Sequence, residues 1–386
     1  MKNIMIGLVT CFEVYNYGSQ LMSLALQMMM DELDYSCEQI NYVPKRDLHY
    51  ICSVLFKLTN QALIEHKREL KQKQNLVEQS SEQTRLFQKK KEAFDRFIKE
   101  NMNLSKPAVG YRALTQLANQ YDCVLLGSDQ VWHPMNLEGD FKNLMFVPDR
   151  IPKIAYGASF SVNDIPKNQI RRTKQYLNRI PYKSVREKQG ADLIGELTGE
   201  NVPVVLDPTL MTTMKQWKDK IDKRLVPGEP YIFTYFLGKD PANRKRVLEL
   251  KKETGLKVAA IDLYNIENVN YIDWPVDCAG PGDFVGLIQG AKYICTDSFH
   301  GTVFSILNEK KFVTFLRYAG GATNAGNSRI GSLLEQLGLM DRIYADGAVQ
   351  KQIDQGIDYA LVNEKLSALR ETSWTFLKNA LKGFNL

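Results

Sequence analysis

Four short polar runs in the sequence contain the residue types that bind anions and move protons. The run 296–302 (Thr-Asp-Ser-Phe-His-Gly-Thr) holds His300, which comes shortly after an apolar run and has polar neighbours. An imidazole titrates near neutral pH, so one side chain can serve as acid and as base within a catalytic cycle. We therefore predict that His300 is catalytic, with both the acid and the base role open. The plainer alternative is a structural histidine.

A second run, 127–132 (Gly-Ser-Asp-Gln-Val-Trp), directly follows an apolar run. A carboxylate at a strand end can take a proton from a hydroxyl group, and an indole ring can lie against the apolar face of a sugar. The run therefore predicts Asp129 as a second catalytic group and Trp132 as an apolar platform. The alternative is that Asp129 only caps the helix that follows.

The runs 184–187 (Ser-Val-Arg-Glu) and 16–19 (Asn-Tyr-Gly-Ser) are typical of anion sites. Arg186 stands where a predicted strand gives way to a helix, and a guanidinium can hold a phosphate or carboxylate through two parallel hydrogen bonds. An ion pair with Glu187 or another acid is the alternative. Gly18 permits a tight turn before a helix whose first backbone amides can bind an anion, and a plain helix cap fits equally well.

All four runs follow predicted β-strands, which are short apolar stretches bounded by turn residues. Strands and helices alternate from residue 4 to about 205, and a second series starts after the loop 227–230 (Pro-Gly-Glu-Pro). This alternation predicts parallel, doubly wound sheets, which bind their ligands at the carboxyl ends of the strands. We therefore expect the four runs to meet in one site.

Length and composition set the number of domains. A chain of 386 residues is too long for one hydrophobic core, since such cores stop growing at about 250–300 residues. We expect an N-terminal Rossmann-like domain at 1–205, a C-terminal Rossmann-like domain at 206–365, and a final helix at 366–386 that packs back across the interface. With 44% hydrophobic and 24% charged residues, the chain is neither disordered nor fibrous.

The N-terminal domain carries a predicted helical insertion at about 48–100. This segment is apolar around 51–58 and is then rich in Lys and Arg. Such a pattern suits a membrane surface or a partner protein, and a helical hairpin packed on its own domain is the plainer alternative.

The net charge of +6 is a mild positive excess. It suits anionic ligands or an anionic membrane surface, and it falls short of the basic footprint of a protein that binds nucleic acid. No run of about 18 apolar residues occurs and residues 1–10 lack a secretory signal, so we expect a cytosolic protein. The six cysteines stand far apart without metal-ligand spacing, which predicts core thiols and no metal site.

In their order and spacing, these runs resemble the polysaccharide pyruvyl transferase family. The resemblance covers the chain from about residue 4 to 340. It rests on the runs 16–18, 127–132, 184–187, 206–209 (Leu-Asp-Pro-Thr), 296–301, 327–330 (Asn-Ser-Arg-Ile) and 337–339 (Leu-Gly-Leu).

The resemblance implies two Rossmann-like domains that face each other across a cleft, as in GT-B glycosyltransferases. The N-terminal domain would bind the acceptor and the C-terminal domain the donor. The reaction would transfer a pyruvyl group from phosphoenolpyruvate, a donor substrate, to sugar hydroxyls, with no cofactor. The product would be a cyclic ketal on a cell-surface polysaccharide or on its lipid-linked precursor, made by a protein in peripheral contact with the inner face of the plasma membrane.

The same resemblance assigns roles to individual positions. It places His300 and Arg186 at phosphoenolpyruvate, and we expect Ser298 and Gly301 beside them on the donor side. The acceptor contacts are then expected from Asn16, Tyr17, Gly18, Ser128 and Trp132.

One departure from the family concerns the donor. Family members often have an arginine two residues before the histidine, where this chain has Ser298. We predict that Arg329 supplies the missing charge. Two other functions stay open at this point: a GT-B-type glycosyltransferase that uses a nucleotide-sugar, and a non-catalytic protein that binds a glycan or a lipid carrier.

Overall fold

The computed structural model describes residues 4–55, 81–136, 140–262, 269–318 and 327–385. Short runs of Val, Ile, Leu and aromatic residues form the longer strands, because such runs suit a sheet that is buried on both faces. The strands of the N-terminal half are β1 (Met5–Val9), β2 (Ser36–Gln39), β3 (Tyr42–Val43), β4 (Ala108–Val109), β5 (Cys123–Leu126), β6 (Lys153–Ala158) and β7 (Tyr182–Val185). Those of the C-terminal half are β8 (Tyr231–Tyr235), β9 (Lys257–Ile261), β10 (Trp274–Pro275), β11 (Tyr293–Thr296) and β12 (Lys311–Thr314).

The strands form two parallel five-stranded sheets. The first sheet has the order β2-β1-β5-β6-β7 and the second the order β10-β9-β8-β11-β12, while β3 and β4 pair separately. In each sheet the strand order reverses direction at one point, between β1 and β5 in the first and between β8 and β11 in the second. Such switch points open a crevice at the carboxyl ends of the strands. The predicted α/β fold with two Rossmann-like sheets is confirmed.

Helices connect the strands. In the N-terminal half they are α1 (Tyr17–Glu32), α2 (Leu48–Leu55), α3 (Ser81–Asn101), α4 (Gly110–Ala118), α5 (Ile170–Asn178) and α6 (Lys188–Thr198). The following helices are α7 (Pro208–Met211), α8 (Met214–Trp217), α9 (Pro241–Thr254), α10 (Pro281–Gly290), α11 (Phe299–Leu307), α12 (Ser328–Leu337), α13 (Val349–Ile353) and α14 (Tyr359–Gly383).

The helix ends follow local chemistry. Asp240 caps α9 by accepting a hydrogen bond from the Ala242 amide, and Pro241 then occupies the first helical position. Gly255 ends the same helix in the left-handed conformation, at φ 66°. These signals explain why α9 begins and ends where it does, although its outer face is mostly charged.

One apolar cluster runs between the two sheets and joins them. It includes Leu8 of β1, Phe233 of β8 and Leu377 of α14, each fully buried. The last helix therefore belongs to the shared core. It begins beside the second sheet, where the Tyr359 hydroxyl donates to the Lys310 carbonyl, and it ends beside the first, where Phe384 packs against Tyr182.

Apolar sequence runs do not fix every element boundary. Residues 37–43 divide into β2 and β3, which lie in different sheets. Residues 202–206 form only a single bridge, between Val204 and Val185. The last helix begins at Tyr359 rather than at residue 366. Tertiary pairing, which sequence periodicity does not report, decides the strand boundaries. Asp358 caps the last helix by accepting a hydrogen bond from the Leu361 amide.

The predicted insertion at 48–100 contains α2 and α3, and its part at 56–80 lies outside the described residues. The prediction of core thiols holds for four of the cysteines and fails for two. Cys52 on α2 is exposed and Cys278 is partly exposed.

Tyr17 lies at a contact between the two halves of the chain, and helix α3 packs against this contact. The Tyr17 ring stacks on Phe284 at 4.8 Å between centroids, and its hydroxyl donates to the Ala279 carbonyl. The Lys90 ammonium lies 4.8 Å above the same ring. Burial lowers the pKa of Lys90 to about 8, and the nearby charge of Asp277 only partly opposes this effect.

Replacing this lysine is expected to stabilise the protein. At pH 7 the wild type must bury a charge, so Lys90→Met should raise the free energy of unfolding by up to about 3 kcal/mol. Between pH 8 and pH 10.5 the unfolded chain holds more protons on this side chain than the folded protein, so the wild type recovers stability as pH rises and the difference shrinks.

Urea denaturation of both proteins at pH 7 and at about pH 9.5 measures this difference. The control is Lys91→Met, because Lys91 is an exposed neighbour on the same helix. A Lys90→Met protein that is less stable than wild type at pH 7 would contradict the prediction.

Candidate active site

The carboxyl ends of β1, β5, β7 and β11 bring the predicted residues together. Among the site elements, the first turn of α1 comes closest to the first turn of α11. A Cβ atom on Gly18 would lie 1.9 Å from Nδ1 of His300, so only glycine fits at this position. Asn16 caps α1 by accepting a hydrogen bond from the Ser19 amide at 3.2 Å. The N-terminal run therefore forms the wall against which His300 packs.

Asp129 stands in the loop after β5 with a left-handed backbone at φ 75°. This conformation is uncommon for a residue with a side chain, although Asp tolerates it better than most. Its carboxylate accepts hydrogen bonds from Ser19 Oγ at 2.7 Å and from Arg186 at 3.2 Å, and Arg329 lies 3.8 Å away. Burial raises the pKa of Asp129, but Arg186, His300 and Arg329 outweigh this effect and lower it to about 2.

Asp207 is a site residue that the motif analysis missed. Its carboxylate accepts hydrogen bonds from Arg186 at 2.6 Å, from Ser128 Oγ at 2.9 Å and from Thr209 Oγ1 at 2.7 Å. Its Oδ1 lies 3.7 Å from Nε2 of His300. Burial raises the pKa of Asp207, yet His300 and Arg186 more than offset this and hold it well below the usual range.

Arg186 forms the ion pairs that the sequence offered as the alternative to donor binding. Its guanidinium bonds Asp207, Asp129 and Ser128, and it lies over the Phe299 ring at 4.8 Å. Burial lowers the pKa of Arg186, and the charges of Asp207 and Asp129 reverse this and raise it. Both terminal nitrogens therefore bond carboxylates, and the contact of Arg186 with a donor anion stays a prediction.

Arg329, on the first turn of α12, is a buried cation with few partners. Its nearest carboxylate is Asp129 at 3.8 Å, and its Nε has no hydrogen-bond partner among the described residues. Burial lowers the pKa of Arg329 to about 10, and the nearby charge of Arg186 adds to the effect. Nε of Arg186 also lacks a partner among the described residues, but both terminal nitrogens of Arg186 bond carboxylates, so Arg329 has the greater capacity to bond an anion.

Ser298 and Gly301 shape the start of α11. Ser298 caps the helix, and its Oγ accepts a hydrogen bond from the Gly301 amide at 3.3 Å. A Cβ on Gly301 would lie 2.5 Å from Oγ1 of Thr296, so the helix can approach β11 only with glycine there. Both residues therefore position His300, and Ser298 supplies no substitute for the family's arginine charge.

Two of the predicted acceptor contacts, Tyr17 and Trp132, are buried, and their contact with an acceptor stays a prediction. Tyr17 is 1% exposed and is held by Phe284 and Ala279, as described above. Trp132 is 3% exposed and packs against Phe160 and Tyr176, at 5.2 and 6.0 Å between ring centroids. Sequence patterns place an aromatic residue at a strand end, but they do not reveal which way its ring turns.

The arrangement can bind an anion and move a proton. His300 lies between a glycine wall and the Asp207 carboxylate, and Arg329 adds a buried positive charge next to Asp129. Within the described residues, no three His, Cys, Asp or Glu side chains form a group that could hold a metal ion.

The close contact between Gly18 and His300 makes a double-mutant prediction. Gly18→Ala forces a methyl group into the imidazole ring and should lower the free energy of unfolding by about 1–3 kcal/mol. In a His300→Ala background the ring is absent, so most of that cost should disappear. Chemical denaturation of the two single variants and the double variant measures the coupling.

Gly228→Ala is the matched control, because no atom lies within 4 Å of a Cβ at that position. It should change stability by less than about 0.5 kcal/mol. An equal cost of Gly18→Ala with and without the histidine ring would show that the clash lies elsewhere.

The fold is similar to that of several sugar-processing enzymes of solved structure. UDP-N-acetylglucosamine 2-epimerase from Rickettsia bellii matches with a TM-score of 0.51 and 11% identity, over 99% of this chain and 97% of that chain. MnaA from S. aureus, solved with UDP, gives 0.49 and 12%, over 100% and 98%. The glycosyltransferase SnogD from Streptomyces nogalater gives 0.41 and 12%, over 98% of each chain. The likeness to the Rickettsia bellii enzyme shows the fold alone.

Among proteins with curated descriptions, none matches the sequence. The model of the family Polysaccharide pyruvyl transferase matches residues 16–318. That range contains the walls of the site from Asn16 to His300, including the Asp207 that joins them. The chain therefore belongs to the polysaccharide pyruvyl transferase family and is an enzyme of that kind.

Proposed function

We propose that the enzyme transfers a pyruvyl group from phosphoenolpyruvate to two hydroxyls of a sugar. The product is a cyclic ketal on a cell-surface polysaccharide or on its lipid-linked precursor. The observation that carries the proposal is the buried Arg329 with spare bonding capacity close to the carboxylates that surround His300. Phosphoenolpyruvate combines two anionic groups with a carbon that must gain a proton, so it needs both features.

The proposed reaction has two halves. A proton adds to the methylene carbon of phosphoenolpyruvate, and the first sugar hydroxyl attacks the cationic carbon that results. Phosphate then leaves with the electrons of its C–O bond, and the second hydroxyl closes the ring. The two hydroxyls lose two protons, of which one replaces the proton given to carbon and the other departs with phosphate.

His300 is the proton carrier in this scheme. It gives its proton to the methylene carbon and recovers one from the attacking hydroxyl, with Asp207 at 3.7 Å from Nε2 to orient the ring. Asp129 was expected to act as a second base. A carboxylate whose pKa lies near 2 takes up a proton poorly at neutral pH, so we assign it to holding the two arginines.

Arg329 and Arg186 have different roles in this scheme. Arg329 contacts an anionic group of the donor, since a buried cation gains most from a partner that it lacks in the protein. Arg186 is a positioning residue, because it fixes Asp207 and Asp129. The acceptor sugar then approaches from the first domain, along the loops after β1 and β5.

A phosphate-release assay with phosphoenolpyruvate and a panel of nitrophenyl glycosides tests this function, with mass spectrometry of the products. We expect a pyruvylated glycoside, and His300→Ala should lower kcat by about 10²–10⁴-fold. Arg329→Ala should mainly raise the KM for phosphoenolpyruvate, by about 10-fold or more, because charge-assisted hydrogen bonds to the donor are lost.

Two controls match these variants. His49 lies on α2 and bonds Asp140, and Arg224 is a surface arginine whose side chain is 61% exposed. Alanine at either position should leave both kinetic constants close to wild type. Full activity of His300→Ala, or turnover with a nucleotide-sugar in place of phosphoenolpyruvate, would refute the proposed function.

The lipid-linked form of the acceptor is supported by an apolar stripe on α2. Leu48, Ile51 and Leu55 are 81%, 45% and 59% exposed, and their spacing places them on one face of the helix. Lys45 and Arg46, both exposed, precede the helix. Apolar side chains beside basic ones suit the surface of an anionic bilayer. None of the described helices is long and apolar enough to cross a membrane.

Vesicle flotation tests the membrane contact. At low salt the wild type should rise with vesicles that contain about a third phosphatidylglycerol and should stay below with pure phosphatidylcholine, because anionic lipid attracts the basic residues. The triple variant Leu48→Ser, Ile51→Ser and Leu55→Ser should lose the association, since apolar burial is removed.

The matched control replaces Val109 and Leu361, which are exposed apolar residues on other elements, with serine. It should float like the wild type. A wild type that stays below with anionic vesicles at low salt would exclude this contact, and circular dichroism would verify that each variant is folded.

A further inference from the structure

A second polar cavity lies in the N-terminal half, separate from the His300 site. It has a volume of about 40 Å³, which is room for a few water-sized groups or one compact ion. The loop after β5, helix α5 and helix α2 form its walls. None of Asp129, Arg186, Asp207, His300 or Arg329 lines it.

Two residues of the cavity wall each have a buried N–H donor that lacks an acceptor among the described residues. The indole Nε1 of Trp132 and the amide Nε2 of Gln169 have no hydrogen-bond partner in the described part of the chain. The two residues are 3% and 4% exposed. A buried N–H without an acceptor is costly, so both groups favour a ligand that brings lone pairs.

The charged residues of the wall also favour a ligand that brings lone pairs and negative charge. Lys142 and Arg172 line the cavity, and no Asp or Glu is found among the described residues that line it. Their carboxylate partners, Glu13 and Asp140, stand outside the lining. The described residues of the lining therefore include positive charges and N–H donors but no carboxylate.

His133 also lines the cavity, and its Nδ1 accepts a hydrogen bond from the Met135 amide at 3.1 Å. A ligand that suits these groups accepts hydrogen bonds from several directions and carries negative charge. A phosphate group has this chemistry.

We propose that this cavity binds a phosphate group, with the Trp132 indole and the Gln169 amide as neutral donors and Lys142 and Arg172 as the balancing charges. The site is independent of phosphoenolpyruvate and of the ketal chemistry. The phosphate is either the free ion or part of a phosphorylated sugar, because both present the same oxygens to the wall.

Nuclear magnetic resonance of the tryptophan indole N–H groups reports on this cavity directly. The full-length protein is titrated with inorganic phosphate at constant ionic strength, and the Trp132 resonance is identified from its absence in Trp132→Phe. We expect this resonance to shift downfield and to saturate, as the indole gains an acceptor. The Trp274 resonance, from β10 of the second sheet, serves as the internal control and should not move.

Substitution of Gln169 gives a second, independent readout. Gln169→Leu removes one donor and should weaken phosphate binding by about 10-fold or more, whereas Gln169→Glu places a carboxylate in the wall and should abolish the shift. Arg329→Ala should leave the titration unchanged, which separates this cavity from the proposed donor site.

A parallel titration with glucose 1-phosphate distinguishes the two sources. Tighter binding of the sugar phosphate assigns the site to a phosphorylated sugar, and tighter binding of inorganic phosphate assigns it to the free ion. A Trp132 resonance that responds to neither ligand in the wild type, or that responds equally in Gln169→Glu, would overturn the proposal.

Discussion

The ion pair between Arg186 and Asp207 is the contact on which the rest of the site depends. Both side chains are almost completely buried, and a buried charge is costly unless it is paired and its remaining hydrogen-bonding positions are filled. Ser128 fills one position on Asp207, and Asp129 bonds the other terminal nitrogen of the guanidinium. Arg186 directly follows β7 of the first sheet, and Asp207 lies 3.7 Å from Nε2 of His300. The ion pair therefore links the first sheet to His300. The same few atoms therefore contribute to stability and determine the surroundings of His300.

The two sheets reach this arrangement by different topologies. The strand order of the first sheet, β2-β1-β5-β6-β7, is that of flavodoxin-like folds, and the order of the second, β10-β9-β8-β11-β12, is that of dinucleotide-binding folds. Each sheet nevertheless has one point where the strand order reverses. Gly18 and Asp129 come from the two strands that flank the first reversal, and His300 follows a strand that flanks the second. Because the two crevices face each other, residues more than 280 positions apart in sequence, such as Gly18 and His300, come into contact.

Much of this could be predicted from the sequence, because strand ends in parallel sheets can be read from apolar runs and the turns that follow them. His300, Asp129 and Gly18 were located in that way. Asp207 was overlooked as a site residue, because the stretch before it forms a single bridge and its importance comes from partners distant in sequence. The burial of Tyr17 and Trp132 could not be predicted, since only packing determines whether an aromatic ring faces the core or a ligand.

The last helix also constrains how the chain can be built. Helix α14 contains 25 residues, and it contributes Leu377 and Leu381 to the apolar cluster that the two sheets share. The first sheet therefore cannot complete its inner face during synthesis until this segment has left the ribosome. An apolar surface must wait exposed while the second sheet is translated, and chaperone binding at that stage would protect it from aggregation.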